Sequence, residues 1–244
     1  MSVALGCQLS PTTSHVFFVY HLSSHSIAQM FLSNREWNTR QALLVGGNAM
    51  MTLGWARVLI ELVSLHAASS LDGESCINKL YPCLWRALAF SSIEFFHCIS
   101  GLTRSNPAFV LMFLVVRSGV EYFAGPSVSS ATAGNDCMHW THLYTLTCWS
   151  VGEVVRFGCF TLAEMSSSKL PKSVRYIVGP IAFPLGALGE MFMVKRLAEN
   201  SEHHKVWIWI VVALWPLGFA PLMAQLLRQR KKHFAAVPKT KKEQ

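Results

Sequence analysis

Six apolar windows, each about long enough to cross a bilayer, run through the chain at residues 42–65, 82–102, 107–125, 140–163, 173–194 and 206–227. A hydrocarbon core about 30 Å thick takes ~20 helical residues per crossing. Inside it each segment must satisfy its own backbone hydrogen bonds. Windows of this length and spacing predict an all-α polytopic membrane protein, a six-transmembrane-helix bundle. The connecting pieces carry turn residues: Asp72-Gly73-Glu74, Asn106-Pro107, Gly125-Pro126, Ser166–Ser168 and Asn200–His204. Composition agrees, with 52% hydrophobic and 14% charged residues, against about 25% charged in a soluble domain.

Lys and Arg decide the orientation. With the N-terminus in the cytosol, the inner segments hold Arg35 and Arg40, then Arg104, then Lys169, Lys172 and Arg175, then a basic tail. The outer segments hold Lys79, none in 126–139, and Lys195, Arg196 and Lys205. Both termini are therefore expected in the cytosol. Much of the net charge of +8 sits in the tail, which suits anionic headgroups and gives no reason to expect nucleic acid. The chain is accordingly expected to hold three parts: an interfacial segment 1–40, a membrane domain 41–227 and a tail 228–244. Lys241-Lys242-Glu243-Gln244 fits a di-lysine retrieval signal. The first 30 residues lack a basic stretch leading into a clean apolar core, so no cleaved signal peptide is expected. Seven cysteines without paired spacing predict neither a disulfide framework nor a zinc site.

Charges inside the windows need a reason. Arg57/Glu61 and Arg117/Glu121 are spaced i,i+4 and Glu153/Arg156 i,i+3, so each is expected to neutralise itself within one helix. Glu94 and Glu190 have no Lys or Arg three or four positions away in their own window. Each must find a partner on another helix or stay protonated, because burial disfavours the charged form. They are the candidates for acid/base work. Glu190 lies deep in Ser173–Val194, after Pro180, Pro184 and Gly186, where a break in the helix is expected.

Two motifs suggest other chemistry. His97-Cys98-Ile99-Ser100-Gly101-Leu102-Thr103-Arg104-Ser105 matches the phosphate loop of cysteine-dependent phosphatases. That loop needs a strand–loop–helix and a low-pKa thiol, whereas Cys98 closes an apolar helix. His21/His25, His139/His142 and His203-His204 resemble histidine boxes of membrane di-iron enzymes, but they are too few and too loosely spaced. Neither a metal nor a cofactor is expected.

Three stretches together resemble one family, the 3-hydroxyacyl-CoA dehydratases of microsomal fatty-acid elongation, also called the protein tyrosine phosphatase-like family. They are Leu88–Gly119, Cys148–Phe157 and Arg175–Glu190, and the likeness covers about residues 41–232. The resemblance implies a six-helix bundle in the endoplasmic reticulum membrane. It also implies dehydration of a long-chain (3R)-3-hydroxyacyl-CoA to the trans-2-enoyl-CoA, the third step of the elongation cycle. Implied partners are the condensing enzyme, the reductases and membrane lipids.

In that family a Tyr and a Glu seven residues later form the acid/base pair on one helix face. The Glu is Glu190 here, and the Tyr position holds Phe183, which has no proton to give. Gly186 matches the glycine of the family's Pro-x-Gly, and Glu94, Arg117 and Arg175 match supporting positions, implied either to order the site or to meet coenzyme A phosphates from the cytosolic side. Phe113 replaces a family Gln, and Phe157 replaces a Tyr. Tyr176, two turns before Phe183, is a candidate substitute for the missing hydroxyl, as is a water. Two other functions compete with the lyase: a catalytically silent homologue that partners or regulates the elongation enzymes, and a lipid transporter. A transporter would favour two similar halves, and residues 41–125 and 140–227 show no repeat.

Overall fold

The computed structural model describes residues 38–67, 73–103, 105–130, 140–166, 170–200 and 205–235. The di-lysine pair, Arg104, the histidines at 21, 25, 139, 203 and 204, and nearly all of the N-terminal segment lie outside the described residues. The chain divides into two units, 1–39 and 40–244. The second holds the helices, apart from Thr39, where the first of them begins.

Among the described residues the chain forms six α-helices: α1 Thr39–Ala67, α2 Gly73–Ile99, α3 Pro107–Ser130, α4 Trp140–Met165, α5 Leu170–Asn200 and α6 Lys205–Ala235. Each corresponds to one apolar window and extends past it at one end or both. Backbone hydrogen bonding does not require apolar side chains, so the polar flanks stay helical. Two expected punctuation points accordingly sit inside helices. Gly125-Pro126 belongs to α3, and α5 runs unbroken through Pro180, Pro184 and Gly186. A proline in a helix removes one N–H, a loss that packed neighbouring helices can offset.

Where the chain does stop, the chemistry is local. Gly101 ends α2 in the left-handed region at φ 70°, a conformation that costs glycine little. Asn106 caps α3, its Oδ1 accepting from the Ala108 N–H at 2.9 Å, and Pro107 takes the first helical position, which needs no N–H.

The inner seam obeys helical spacing. Met51, Trp55, Val58, Leu62 and Leu65 of α1 recur every three or four residues and are buried. They meet Leu80, Leu84 and Leu88 of α2, Val120 and Ala124 of α3, Leu146, Trp149 and Phe157 of α4, and Met193 and Val194 of α5 in one apolar core. Trp55 on α1 donates to Ser91 Oγ on α2 at 2.9 Å. The outer surface is also apolar, with Leu53, Val63, Phe96, Val115, Ile181 and Leu188 exposed. Among the described residues three helices are long and apolar enough to cross a membrane: α1, α3 over Pro107–Gly125 and α5 over Ser173–Glu199.

Candidate active site

Close approach of α4 and α5 builds the site. The contact face of α5 carries glycine at two positions, and both matter. A Cβ on Gly189 would lie 2.6 Å from Thr145 Oγ1 and 3.1 Å from Thr145 Cα, and one on Gly186 would lie 3.3 Å from Trp149 Cδ1. The absence of side chains there lets the Trp149 indole lie against α5, where its Nε1–H donates to Glu190 Oε1 at 2.9 Å. Glu190 is buried, and no described hydrogen bond reaches its second oxygen.

Arg117 on α3 reaches the same place. Its Nε lies 4.0 Å from Glu190 Oε1 and has no hydrogen-bond partner among the described residues. Its Nη1 donates to Glu153 Oε1 on α4. Aromatic rings enclose the guanidinium, with Cζ 5.3 Å from the Trp149 ring, 5.8 Å from Phe113 and 5.9 Å from Trp55. The expected pairing of Arg117 with Glu121 one turn later is therefore not formed. A basic residue N-terminal to its acid is the weaker i,i+4 order, and long helical side chains lean toward the helix N-terminus, away from i+4. Glu153 offers Arg117 a partner across the bundle, while Glu121 is taken by His142, whose Nε2 lies 3.0 and 3.2 Å from its two oxygens. Arg57 and Glu61 do pair within α1, and Glu153 and Arg156 within α4.

The network continues outward. Arg156 donates to Glu153 Oε2 from Nε at 2.8 Å and Nη2 at 2.6 Å. Its Nη1 donates to both oxygens of Glu94 on α2, at 2.6 and 2.7 Å. Glu94 thus finds its partner on another helix, as its isolation within its own window requires. In Glu94 and Glu153 both carboxylate oxygens are held by arginine. Only Glu190, of these three, keeps one oxygen free of a described bond.

All seven residues singled out in the sequence line one cavity of about 890 Å³: Glu94, Arg117, Arg175, Tyr176, Phe183, Gly186 and Glu190. The volume falls at the upper end of small-molecule pockets, about 300–1,000 Å³. Phe183 lies partway along it, edge-on to Phe113 at 5.3 Å between centroids and stacked on Phe219 of α6 at 5.0 Å. Tyr176 is fourteen residues from Glu190 on the same helix, which places it about 21 Å away along the axis. Its ring packs on His233 at 4.6 Å. At that separation the two groups cannot act on adjacent carbons. Arg175 stacks on Phe160, with Cζ 3.9 Å from the ring, at the same end as Tyr176. Arg175 therefore lies beside Tyr176, close enough to Glu94 and Arg156 to feel their charges, while Arg117 lies beside Glu190.

Cys98 sits in the last turn of α2, buried, with Sγ 3.2 Å from Thr103 Oγ1. The strand–loop–helix of a phosphatase loop is absent at this cysteine, because the preceding residues are helical through Ile99. Among the described residues no group of three or more His, Cys, Asp or Glu could hold a metal ion.

Sequence reasoning reached Glu190 but not its immediate partners. Trp149 carried a signal, since a buried indole N–H usually finds an acceptor. The bridging role of Glu153 carried none, because its spacing to Arg156 already accounted for it.

A protein-family model described as "Protein tyrosine phosphatase-like protein, PTPLA" matches residues 89–236, more than half of the chain. No curated protein and no solved structure matches.

Proposed function

The chain belongs to the protein tyrosine phosphatase-like family, and from that premise we propose that it is a lyase converting (3R)-3-hydroxyacyl-CoA to trans-2-enoyl-CoA in fatty-acid elongation. The observation that carries this reading is the uncommitted oxygen of Glu190, in a cavity whose other inner carboxylates are locked to arginine. In this mechanism the Glu190 carboxylate takes the α-proton. The C–H electron pair becomes the Cα=Cβ bond as the Cβ–O bond breaks. The departing hydroxyl takes that same proton from Glu190, directly or relayed through a water, giving water and restoring the carboxylate. A single carboxylate serves both transfers when proton and hydroxyl leave from one face. The Trp149 N–H donates to one oxygen of this carboxylate, and Arg117 Nε lies 4.0 Å from the same oxygen. Six crossings with both termini in the cytosol, residence in the endoplasmic reticulum membrane and partnership with the other elongation enzymes belong to the same proposal.

The test uses protein purified in detergent, a long-chain (3R)-3-hydroxyacyl-CoA, and enoyl-CoA formation as the readout. Turnover in the native chain that falls in Glu190→Gln supports the reading. Turnover that survives Glu190→Gln removes Glu190 from the mechanism.

One observation favours a second reading, a silent homologue that binds acyl-CoA without turnover. Phe183, at the family's Tyr position, is packed between Phe113 and Phe219, so the place of a catalytic hydroxyl is filled by an apolar three-ring cluster. A native chain without activity that gains it in Phe183→Tyr, or in Phe183→Tyr with Phe113→Gln, would establish this reading over the first.

A further inference from the structure

The two ends of the cavity differ in how their charges are held. At the inner end Arg117 and Arg156 are committed to carboxylates. At the outer end Arg40, Arg175 and Lys232 also line the cavity, and none of the three forms an ion pair among the described residues. Glu164 lines the cavity too, one turn beyond Phe160 on α4, and makes no described ion pair with them.

Two of these cations have described contacts, and the third sits beside a packed histidine. Arg40 lies in the first turn of α1, and its Nη2 donates to the Leu102 carbonyl after α2 at 2.9 Å. The Arg175 Cζ lies over the Phe160 ring at 3.9 Å, with the Tyr176 ring 5.4 Å away. Lys232 is next to His233, which packs on Tyr176 and lies 3.1 Å from Ser173 Oγ through Nε2. Three helix ends thus bring three cations to the same end of the bundle. The charge of Glu94 reaches Arg175, but both Glu94 oxygens are bonded to Arg156, so none of the three has a carboxylate paired to it among the described residues. That is a site for a multivalent anion.

The distance between the ends narrows the anion's identity. Arg175 and Glu190 are fifteen residues apart on α5, about 22 Å along the axis. The arm of an acyl-CoA from its diphosphate to the acyl β-carbon is roughly fifteen bonds. At ~1.2 Å advance per bond of extended chain it spans about 18 Å, a difference that the Arg175 and Glu190 side chains can take up. We propose that Arg40, Arg175 and Lys232 form a clamp for the coenzyme A diphosphate, and that α5 between Arg175 and Glu190 acts as a ruler of pantetheine length. This inference rests on the acyl-CoA reading of the cavity and adds Arg40 and Lys232 to it. It also divides the two supporting arginines, Arg175 to phosphate and Arg117 to the carboxylate end.

The shared chemistry is a phosphate ester, which a coenzyme A or an anionic lipid headgroup could supply, and the test separates them. The full chain in phosphatidylcholine nanodiscs is titrated with a saturated long-chain acyl-CoA, and with the acyl-pantetheine that lacks both diphosphate and nucleotide. The same is done for Arg40→Gln, Lys232→Gln and Arg175→Lys. The native chain is expected to bind the acyl-CoA about tenfold or more tightly over the acyl-pantetheine, the scale of one or two charge-assisted hydrogen bonds. Each substitution should weaken acyl-CoA binding several-fold while leaving acyl-pantetheine binding unchanged, and added salt should narrow the gap. Arg40 and Lys232 are exposed, so their replacement should not disturb folding. Equal weakening of both ligands, or no weakening of either, overturns the clamp. Loss of phosphatidylserine retention in mixed nanodiscs with unchanged acyl-CoA affinity overturns it in favour of a lipid headgroup. Preferential acyl-CoA binding without turnover would leave the clamp standing and remove the lyase reading.

Discussion

Two buried carboxylates in the same bundle show how differently it can use an acid. Glu121 is wholly buried, both its oxygens face His142, and the Tyr81 ring stands 6.3 Å edge-on to the imidazole. A Cβ on Gly125 would strike Glu121 Oε1 and lie 2.7 Å from Tyr81 Oη, so the cluster is packed without space for a ligand. Glu190 is buried as well, but it lines a cavity and has only one oxygen in a described hydrogen bond. Burial alone therefore does not mark a reactive acid. An acid whose bonding capacity is filled holds helices together, and one left partly open beside a cavity is available for chemistry.

The largest effect that could break this comparison is at Glu190. Glu190→Gln should lower enoyl-CoA formation by ~10²–10⁴-fold, the range for one general acid/base group, with little change in thermal unfolding. The Trp149 N–H can still donate to the amide oxygen. Glu121→Ala and His142→Ala should do the reverse. Breaking a buried pair costs about 3–5 kcal/mol, seen as a lower unfolding temperature in detergent, while the KM of the protein that still folds is unchanged. A Glu121 variant with normal stability and lost turnover would dissolve the distinction.

The glycines sharpen it further. Gly189→Ala would push against Thr145 Cα, a backbone atom at 3.1 Å, so α4 and α5 must separate, at the ~1–3 kcal/mol typical of overpacking. Gly186→Ala meets the Trp149 ring at 3.3 Å, which can tilt. It should reduce turnover more than it reduces unfolding temperature, because the indole holds Glu190. Last, Arg57→Ala removes an i,i+4 pair whose Arg is half exposed. Calorimetry should show a change within ~1 kcal/mol.

Parts of this site were legible in the sequence for definite reasons. Glu190 and Glu94 stood out because no Lys or Arg lay within one turn of either, a fact of spacing that folding cannot alter. The resolution of that isolation was not legible. Glu94 is neutralised by Arg156, 62 positions away, and Glu190 is held by Trp149, 41 positions away. Arg117 looked paired with Glu121 because both lie on one helix, yet its guanidinium extends across the bundle to Glu153. Local spacing sets out the partners a side chain could have, and packing selects among them.

The sequence by itself determined the helices, since six apolar windows in a chain with few charges leave little alternative to an all-α bundle. It also determined that two carboxylates needed partners beyond their own helices, and that Phe183, two turns before Glu190, has no proton to give. Only the tertiary structure decided which acid stays open, that Phe183 is packed between two further rings, and that three cations without a described ion pair lie at the same end of the bundle. Helix formation depends on neighbours within a few positions, whereas these arrangements depend on which faces of separate helices come together. That is set by the close approach at Gly186 and Gly189 and by the packing of the whole core.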